Sequence, residues 1–216
     1  TRYYWTVEAV NEQGETETTS GTWSFVTTLD VPQNISASLT QIYEGQSTTI
    51  SWYAPEHTNG FLYYNIYVNG DLKGNLEETS CVIEDLDHNI TGHEISVTAV
   101  YDGLGESGHA KCNVKVCGYG NMNITVNDGE TPIKGATVVL NGTDAFGKAV
   151  EYTGSTNEAG VLENNVKAGE YTVAVSKFGY EEKVVTDIEV VSGTPYEVTI
   201  SMQEKPTAPE DLLKDV

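Results

Sequence analysis

The sequence of 216 residues has few basic side chains. Its 11 lysines and arginines stand against 32 aspartates and glutamates, which gives a formal net charge of −21 at pH 7. Such a chain is repelled by nucleic-acid phosphates and by anionic lipid head groups, so we expect neither as a partner. The acidic residues are scattered rather than grouped in blocks, a pattern typical of a surface that keeps a protein soluble.

Cysteine is also rare. The chain has three, Cys81, Cys112 and Cys117, and an odd number excludes a fully paired set of disulfides within the chain. One bridge could form, either Cys81–Cys112 or Cys81–Cys117, and unpaired thiols are an equally good interpretation. None of the spacings matches the C-x-x-C of a zinc site, so the cysteines do not predict a metal centre.

Long apolar runs are missing as well. No stretch approaches the roughly 20 apolar residues that a transmembrane helix needs, so direct membrane insertion is not expected. No signal peptide, with its charged region before an apolar one, opens the sequence. Because residues 1–5 look like the middle of a strand, we expect the sequence to be part of a longer polypeptide.

Helical periodicity is almost absent, and its one instance, residues 208–216, is too short to form a stable helix alone. Most of the chain alternates with period two instead, as where Ile95, Val97 and Ala99 interleave with polar residues. Turn signals such as Asn69-Gly70 divide the alternating segments. The pattern predicts an all-β chain of tandem antiparallel β-sandwiches.

Residues 29–117 contain strand and turn motifs in a fixed order: Ile50-Ser-Trp52, Tyr64-Asn-Ile-Tyr67, Asn69-Gly70, Leu86, and Ile95-Ser-Val-Thr-Ala-Val-Tyr101. Together they resemble a fibronectin type III domain. Residues 1–28 resemble the last two strands of such a domain, truncated, with Tyr3 at the family's corner tyrosine position. In the complete copy His93 takes that position. The tyrosine's bond to the backbone would then be missing unless the imidazole N–H replaces it.

Residues 118–204 contain a second set of motifs: Pro132-Ile-Lys-Gly-Ala-Thr-Val138, Thr156-Asn-Glu-Ala-Gly160, Ala168-Gly-Glu-Tyr171, Phe178-Gly-Tyr180 and Val190-Val-Ser-Gly193. They resemble the carboxypeptidase regulatory-like family, whose fold is a transthyretin-like Greek-key sandwich of seven strands. We expect Gly160 in a tight turn with positive φ. The run Cys117–Asn121 is interpreted as the separator before this module, and residues 205–216 as a linker or the start of a further domain.

No catalytic motif of the G-x-S-x-G or H-E-x-x-H type occurs, and the family resembled is not itself catalytic, so we expect no enzyme and no cofactor. His88 and His93 are interpreted as a loop residue and a corner residue. Calcium is the metal that the sequence could hold, because a short span supplies several hard oxygens, although without EF-hand spacing. The calcium candidates are Glu84, Asp85, Asp87 and Asn89. Solvated turn residues are the simpler interpretation.

The aromatic residues Tyr63, Tyr64, Tyr67 and Tyr101 lie on expected strands. One alternate set must face the core, and the other could stack on sugars, although packing at the rim of the core is the simpler interpretation.

These patterns predict non-catalytic spacer modules, with adhesion as an added role, from a large secreted or cell-surface bacterial protein of the Bacteroidetes type. The expected partners are neighbouring domains of the same polypeptide, held by short linkers that contain proline. Two alternatives stay open. One is the accessory region of a secreted peptidase or glycosidase, and the other is an adhesin module that binds a glycan or a host protein.

Overall fold

The structure, a computed structural model, describes residues 28–206 and, before them, the strand backbones at 2–5, 8–11, 14–17 and 23–26. The prediction of an all-β chain is confirmed, since 62% of the chain is strand and the described residues include no helix. A membrane-spanning helix is accordingly not found among them. The Tyr3 side chain and the tail at 208–216 lie outside the described residues.

The strands follow one another along the chain with short connections. The first are β1 (Arg2–Trp5), β2 (Glu8–Asn11), β3 (Gly14–Glu17) and β4 (Trp23–Val26). The next are β5 (Gln33–Ala37), β6 (Gln41–Tyr43), β7 (Thr48–Tyr53), β8 (Phe61–Val68), β9 (Asp71–Leu76), β10 (Ser80–Ile83), β11 (Asn89–Tyr101), β12 (Gly105–Glu106) and β13 (Ala110–Cys117). The last are β14 (Tyr119–Asn127), β15 (Thr137–Asp144), β16 (Ala149–Ser155), β17 (Val161–Lys167), β18 (Gly169–Ser176), β19 (Lys183–Val190) and β20 (Tyr196–Ser201).

Two compact units make up the chain, and each gathers separate stretches of sequence. Unit 1 consists of Thr1–Leu39, Thr48–Ile83 and His93–Val114. Unit 2 consists of Thr40–Ser47, Glu84–Gly92 and Lys115–Val216. Unit 2 therefore combines residues that the sequence assigns to the module at 118–204 with three segments from the stretch 29–117, namely 40–47, 84–92 and 115–117.

Between residues 33 and 117 the strands form one sheet of order β10-β7-β5 and another of order β6-β13-β11-β8-β9, with β12 paired to β11. The strands pair antiparallel as predicted, except that β6 runs parallel to β13. Alternation decides which aromatic residues are core. Tyr64 and Tyr101 are buried, whereas Tyr63 and Tyr67 are half-buried on the other parity. The buried Trp52 packs edge-on against Tyr64, with 5.3 Å between ring centroids.

The predicted hairpin at Asn69-Gly70 is confirmed. Both residues have positive φ, 53° and 87°, as the two-residue turn between β8 and β9 requires. The Asn69 Oδ1 atom accepts the Glu94 N–H at 3.0 Å, and its Nδ2 atom lies 2.9 Å from His93 Nδ1. Because the amide nitrogen donates, His93 accepts at Nδ1. The buried His93 imidazole, at the position of the family's corner tyrosine, thus supports the hairpin through the side chain of Asn69.

Strands β14–β20 form the seven-stranded sandwich that the sequence predicts, with sheets of order β17-β14-β20 and β16-β15-β18-β19. All pairs are antiparallel except β14 with β20. One continuous core fills the space between the sheets, and side chains such as Leu140 and Val173 in it are fully buried. Each such side chain contributes about 1.5–3 kcal/mol of transfer free energy. Gly160 has φ +71°, as expected, in a turn where a Cβ atom would lie 2.5 Å from the Val126 carbonyl oxygen.

Candidate functional site

The passage from β13 to β14 in unit 2 is tightly packed. Gly118 is the one residue between the two strands; its N–H donates to His88 Nδ1 at 2.8 Å, and its carbonyl accepts the Ala168 N–H at 2.9 Å. A Cβ atom on Gly118 would lie 2.1 Å from Ser192 Oγ, and one on Gly120 would lie 2.5 Å from Val190 Cγ1. These glycines, which the sequence analysis interprets as a separator, serve close packing rather than flexibility.

Four side chains in unit 2 form what we call the Tyr43–Asp144 cluster: Tyr43, Asp144, Lys148 and Lys167. Tyr43 Oη donates to Asp144 Oδ2 at 2.5 Å, across 101 residues of sequence. Asp144 Oδ1 accepts the backbone N–H groups of Phe146 at 3.0 Å and of Lys148 at 2.9 Å, which closes the turn after β15. Asp144 is only 3% exposed, so its carboxylate joins β6 to this turn inside the unit.

Charge in the Tyr43–Asp144 cluster is well compensated. Burial alone would raise the pKa of the Asp144 carboxyl, but the hydrogen bonds from Tyr43, Lys148 and Phe146, helped by the charge of Lys167, together outweigh it and lower that pKa. Burial, then the bond to Asp144, raises the pKa of Tyr43. Lys167 Nζ lies 3.8 Å from the centroid of the Tyr43 ring, a cation–π distance. The site therefore holds an ionised carboxylate beside a neutral phenol.

A second carboxylate, in unit 1, gathers donors from neighbouring strands. We call Asn65, Tyr67, Thr98 and Glu106 the Glu106 network. Glu106 Oε1 accepts Tyr67 Oη at 2.6 Å, Asn65 Nδ2 at 2.9 Å and the hydroxyl of Thr98. Partial burial favours a higher pKa for Glu106, but these three hydrogen bonds outweigh it and lower the pKa. The network satisfies the hydroxyl of Thr98, which is fully buried.

One serine and one histidine meet beside the Glu106 network. Ser96 Oγ lies 3.0 Å from His109 Nδ1, and the His109 ring packs edge-on against Tyr67 with centroids 5.0 Å apart. A nucleophilic serine must be reachable by a substrate. Ser96 is only 1% exposed, so its pairing with His109 serves packing rather than chemistry.

All three cysteines are free thiols in the structure. Cys117 is buried in unit 2, where its Sγ lies 3.6 Å from the Ala168 carbonyl oxygen. Cys81 and Cys112 lie in unit 1 and are half-buried. Burial, and next the charge of Cys112, raises the pKa of Cys81 to about 11. The bridge between these two cysteines stays a prediction.

The four calcium candidates lie just before β11 and at its first residue, in unit 2. Asn89 Oδ1 already accepts the N–H and hydroxyl of Thr91, at 3.1 and 2.7 Å, and the N–H of Gly92 at 3.0 Å. Glu84, Asp85 and Asp87 are exposed. In the described part of the chain, no three His, Cys, Asp or Glu side chains are grouped so that they could hold a metal ion. Calcium binding stays a prediction.

The remaining histidines have structural partners. His57 Nδ1 lies 2.6 Å from Asp30 Oδ2; the hydrogen bond to Asp30 raises the pKa of His57, and the same bond lowers that of Asp30. His88, interpreted from the sequence as a loop residue, accepts the N–H of Gly118. That role escaped sequence reasoning because the two residues are 30 positions apart.

Solved structures resemble the chain only distantly. 3-Chlorocatechol 1,2-dioxygenase from Rhodococcus opacus 1CP aligns at 9% identity and a TM-score of 0.33, covering 40% of this chain and 60% of that one. The central fibronectin-III array of RIM-binding protein aligns at 16% identity and a TM-score of 0.35, covering 76% of this chain and 63% of that one. Domains D2 and D3 of the major pilin SpaD from Corynebacterium diphtheriae align at 9% identity and a TM-score of 0.36, covering 80% of this chain and 98% of that one. The chain spans less than two thirds of the first two, and none of the three carries an argument about function.

The family comparison is more specific. No curated protein matches the chain. Residues 122–203 match the model of the carboxypeptidase regulatory-like domain, a stretch that runs from within β14 to just past the end of β20. The motifs of the third predicted module are thus confirmed, whereas the resemblance of residues 29–117 to fibronectin type III stays a prediction. Within this all-β chain, residues 122–203 thus match a domain family that is non-catalytic.

Proposed function

We propose that the chain is a non-catalytic spacer in a larger secreted or cell-surface bacterial protein, with a fibronectin type III-like module at 29–117 next to the regulatory-like module at 118–204. The observation that carries the proposal is the Tyr43–Asp144 hydrogen bond of 2.5 Å. It joins residues from the two modules within one compact unit. A spacer module needs such connections between its segments, because a loosely packed module would not keep a set length.

The energetics of the Tyr43–Asp144 cluster suit this role. A hydrogen bond to a charged group contributes about 1.5–3 kcal/mol when its partners are shielded from water. Asp144 meets that condition at 3% exposure, and it has three donors. Gly118 adds a contact too close for any larger side chain. Breaking the hydrogen bond would loosen the segment at 40–47 from the turn at 144–148.

A double-mutant cycle tests the proposal. Tyr43→Phe, Asp144→Asn and the double variant would be unfolded in urea, with circular dichroism as the readout. We expect a coupling free energy above about 1 kcal/mol, because the two side chains contact each other directly. Tyr53→Phe combined with Asp144→Asn is the control, since Tyr53 is exposed and lies in unit 1. A coupling no larger than in the control would contradict the proposal.

The same rigid segment would also suit the accessory region of a secreted peptidase or glycosidase. The full reading frame distinguishes the two roles. A catalytic domain encoded beside these residues would favour the accessory role, and a series of repeats that ends in an anchor would favour the spacer. A cytoplasmic location of the intact protein, established by cell fractionation, would contradict both.

A further inference from the structure

Among the residues that the structure describes, Phe178 has the most exposed aromatic side chain, with an exposure of 100%. It lies in the connection between β18 and β19 of unit 2. For comparison, the exposed tyrosine Tyr53 retains about a third of its surface covered, at 69% exposure. Aromatic side chains usually contribute to stability by burying about 150–250 Å² of surface. Phe178 makes no such contribution, so its ring is available to a ligand.

The turn that carries Phe178 is held in place on both sides. The Tyr180 N–H donates to the Lys177 carbonyl at 3.0 Å, and the Lys205 N–H donates to the Gly179 carbonyl at 2.8 Å. Lys177 Nζ donates to the carbonyls of Lys134 at 2.7 Å and of Gly135 at 3.0 Å. A ligand would therefore meet a ring on a preorganised turn, which reduces the entropy cost of binding.

A cavity of about 350 Å³, open to solvent, has Phe178 among its lining residues. Small-molecule sites typically measure about 300–1,000 Å³, so its size is sufficient for a small ligand. Its lining residues include Thr137, Ser176, Glu182 and Lys205, whose side chains end in two hydroxyls, a carboxylate and an ammonium. None of these four groups has a hydrogen-bond partner within residues 28–206. Donors and acceptors are thus both available beside an apolar ring.

We propose that Phe178 and this cavity bind a neutral carbohydrate. A sugar ring has an apolar face of C–H groups, which would stack on the phenyl ring, and a rim of hydroxyls that both donate and accept. Among the residues of the cavity, Glu182 and Lys205 carry opposite charges, which leaves one positive charge, that of Lys177, and its ammonium is already held by two carbonyl oxygens. The net charge of −21 would repel an acidic glycan.

Calorimetric titration of the full chain tests the inference. The probes are cellohexaose, maltohexaose, xylohexaose and mannohexaose, each at millimolar concentration. We expect one or more to bind, and Phe178→Ala to weaken that binding about tenfold or more, because the stacking surface is lost. Phe178→Trp should retain binding. Tyr53→Ala, which removes an exposed aromatic from unit 1, is the matched control and should bind as the wild type does.

Thermal unfolding should be the same for Phe178→Ala and the wild type, because the ring is fully exposed. Three results would overturn the inference: no binding by any of the four probes, equal binding by Phe178→Ala, or equally strong binding of the acidic probe sialyllactose. Sedimentation gives a fourth. Self-association that Phe178→Ala abolishes would assign the ring to a contact between copies of the chain. None of these results would alter the coupling between Tyr43 and Asp144, so the spacer proposal stands or falls separately.

Discussion

The Glu106 network and the Tyr43–Asp144 cluster contain the same kind of hydrogen bonds, but they join residues at different separations in the sequence. In both, a tyrosine hydroxyl and further donors lower the pKa of a carboxyl group against the effect of burial. The donors to Glu106 come from β8 and β11, and Glu106 itself is exposed. Asp144 is buried, and one of its donors lies 101 residues away. The Glu106 network therefore connects strands of one unit at its surface, whereas the Tyr43–Asp144 cluster connects segments that are far apart in sequence through a buried carboxylate.

Removing the Asp144 carboxylate gives the largest expected effect. Asp144→Ala should lower the free energy of unfolding by about 3 kcal/mol, because a buried carboxylate is lost and the hydroxyl of the half-buried Tyr43 and two N–H groups lose their acceptor. Urea unfolding measures it. Asp128→Ala is the matched control, since Asp128 also accepts backbone N–H groups in a turn but is exposed. If Asp144→Ala cost no more than Asp128→Ala, the contrast between a buried and an exposed carboxylate would be lost.

A methyl group at Gly118 should cost less, about 2 kcal/mol, by overpacking the passage from β13 to β14. Part of the clash can be relieved, because the closest atom is the rotatable Ser192 Oγ. Gly74→Ala is the control, because a Cβ atom there has no neighbour within 4 Å. Thermal unfolding of both variants gives the comparison. An unchanged midpoint for Gly118→Ala would mean that the passage is looser than the structure has it.

The smallest expected effect is the change in the free energy of unfolding with pH. The lowered pKa of Asp144 means that its contribution is present above its unfolded-state pKa of about 3.9 and is lost as pH falls through the folded-state pKa. Asp144→Asn should therefore be less stable than wild type near neutrality and should approach it in acid. Glu106→Gln should show the same trend more weakly, since exposure screens its interactions. Urea midpoints across the acid range measure both, and a steeper trend for Glu106→Gln would reverse the comparison.

Much of the fold follows from local sequence patterns. Period-two alternation put Tyr63 and Tyr64 on opposite faces, although it left open which face is core, and Asn69-Gly70 predicted its hairpin, because both depend on residues next to each other. Gly160 behaved as its turn requires. The parallel pairs were not predicted, because alternation determines the face of a side chain but not the partner of a strand.

The candidate site was harder to predict. No local pattern links Asp144 to Tyr43, and none links His88 to Gly118. Gly118 and Gly120 resemble a flexible separator in sequence, and only their neighbours show that they allow close approach. The role of Asn89, by contrast, could be predicted from local sequence. Thr91 and Gly92, two and three residues later, favour a turn in which the Asn89 side-chain oxygen accepts their N–H groups.

The parallel pairing of β14 and β20 has a mechanical consequence. Its register runs over six pairs, from Met122 with Tyr196 to Asn127 with Ser201. In a parallel pair the first strand begins at one end and the last strand finishes at the other, about 17 Å away at 3.3 Å per residue. Tension applied through the polypeptide at both ends of this pair therefore shears the ladder lengthwise, so its hydrogen bonds must break together rather than unzip one after another.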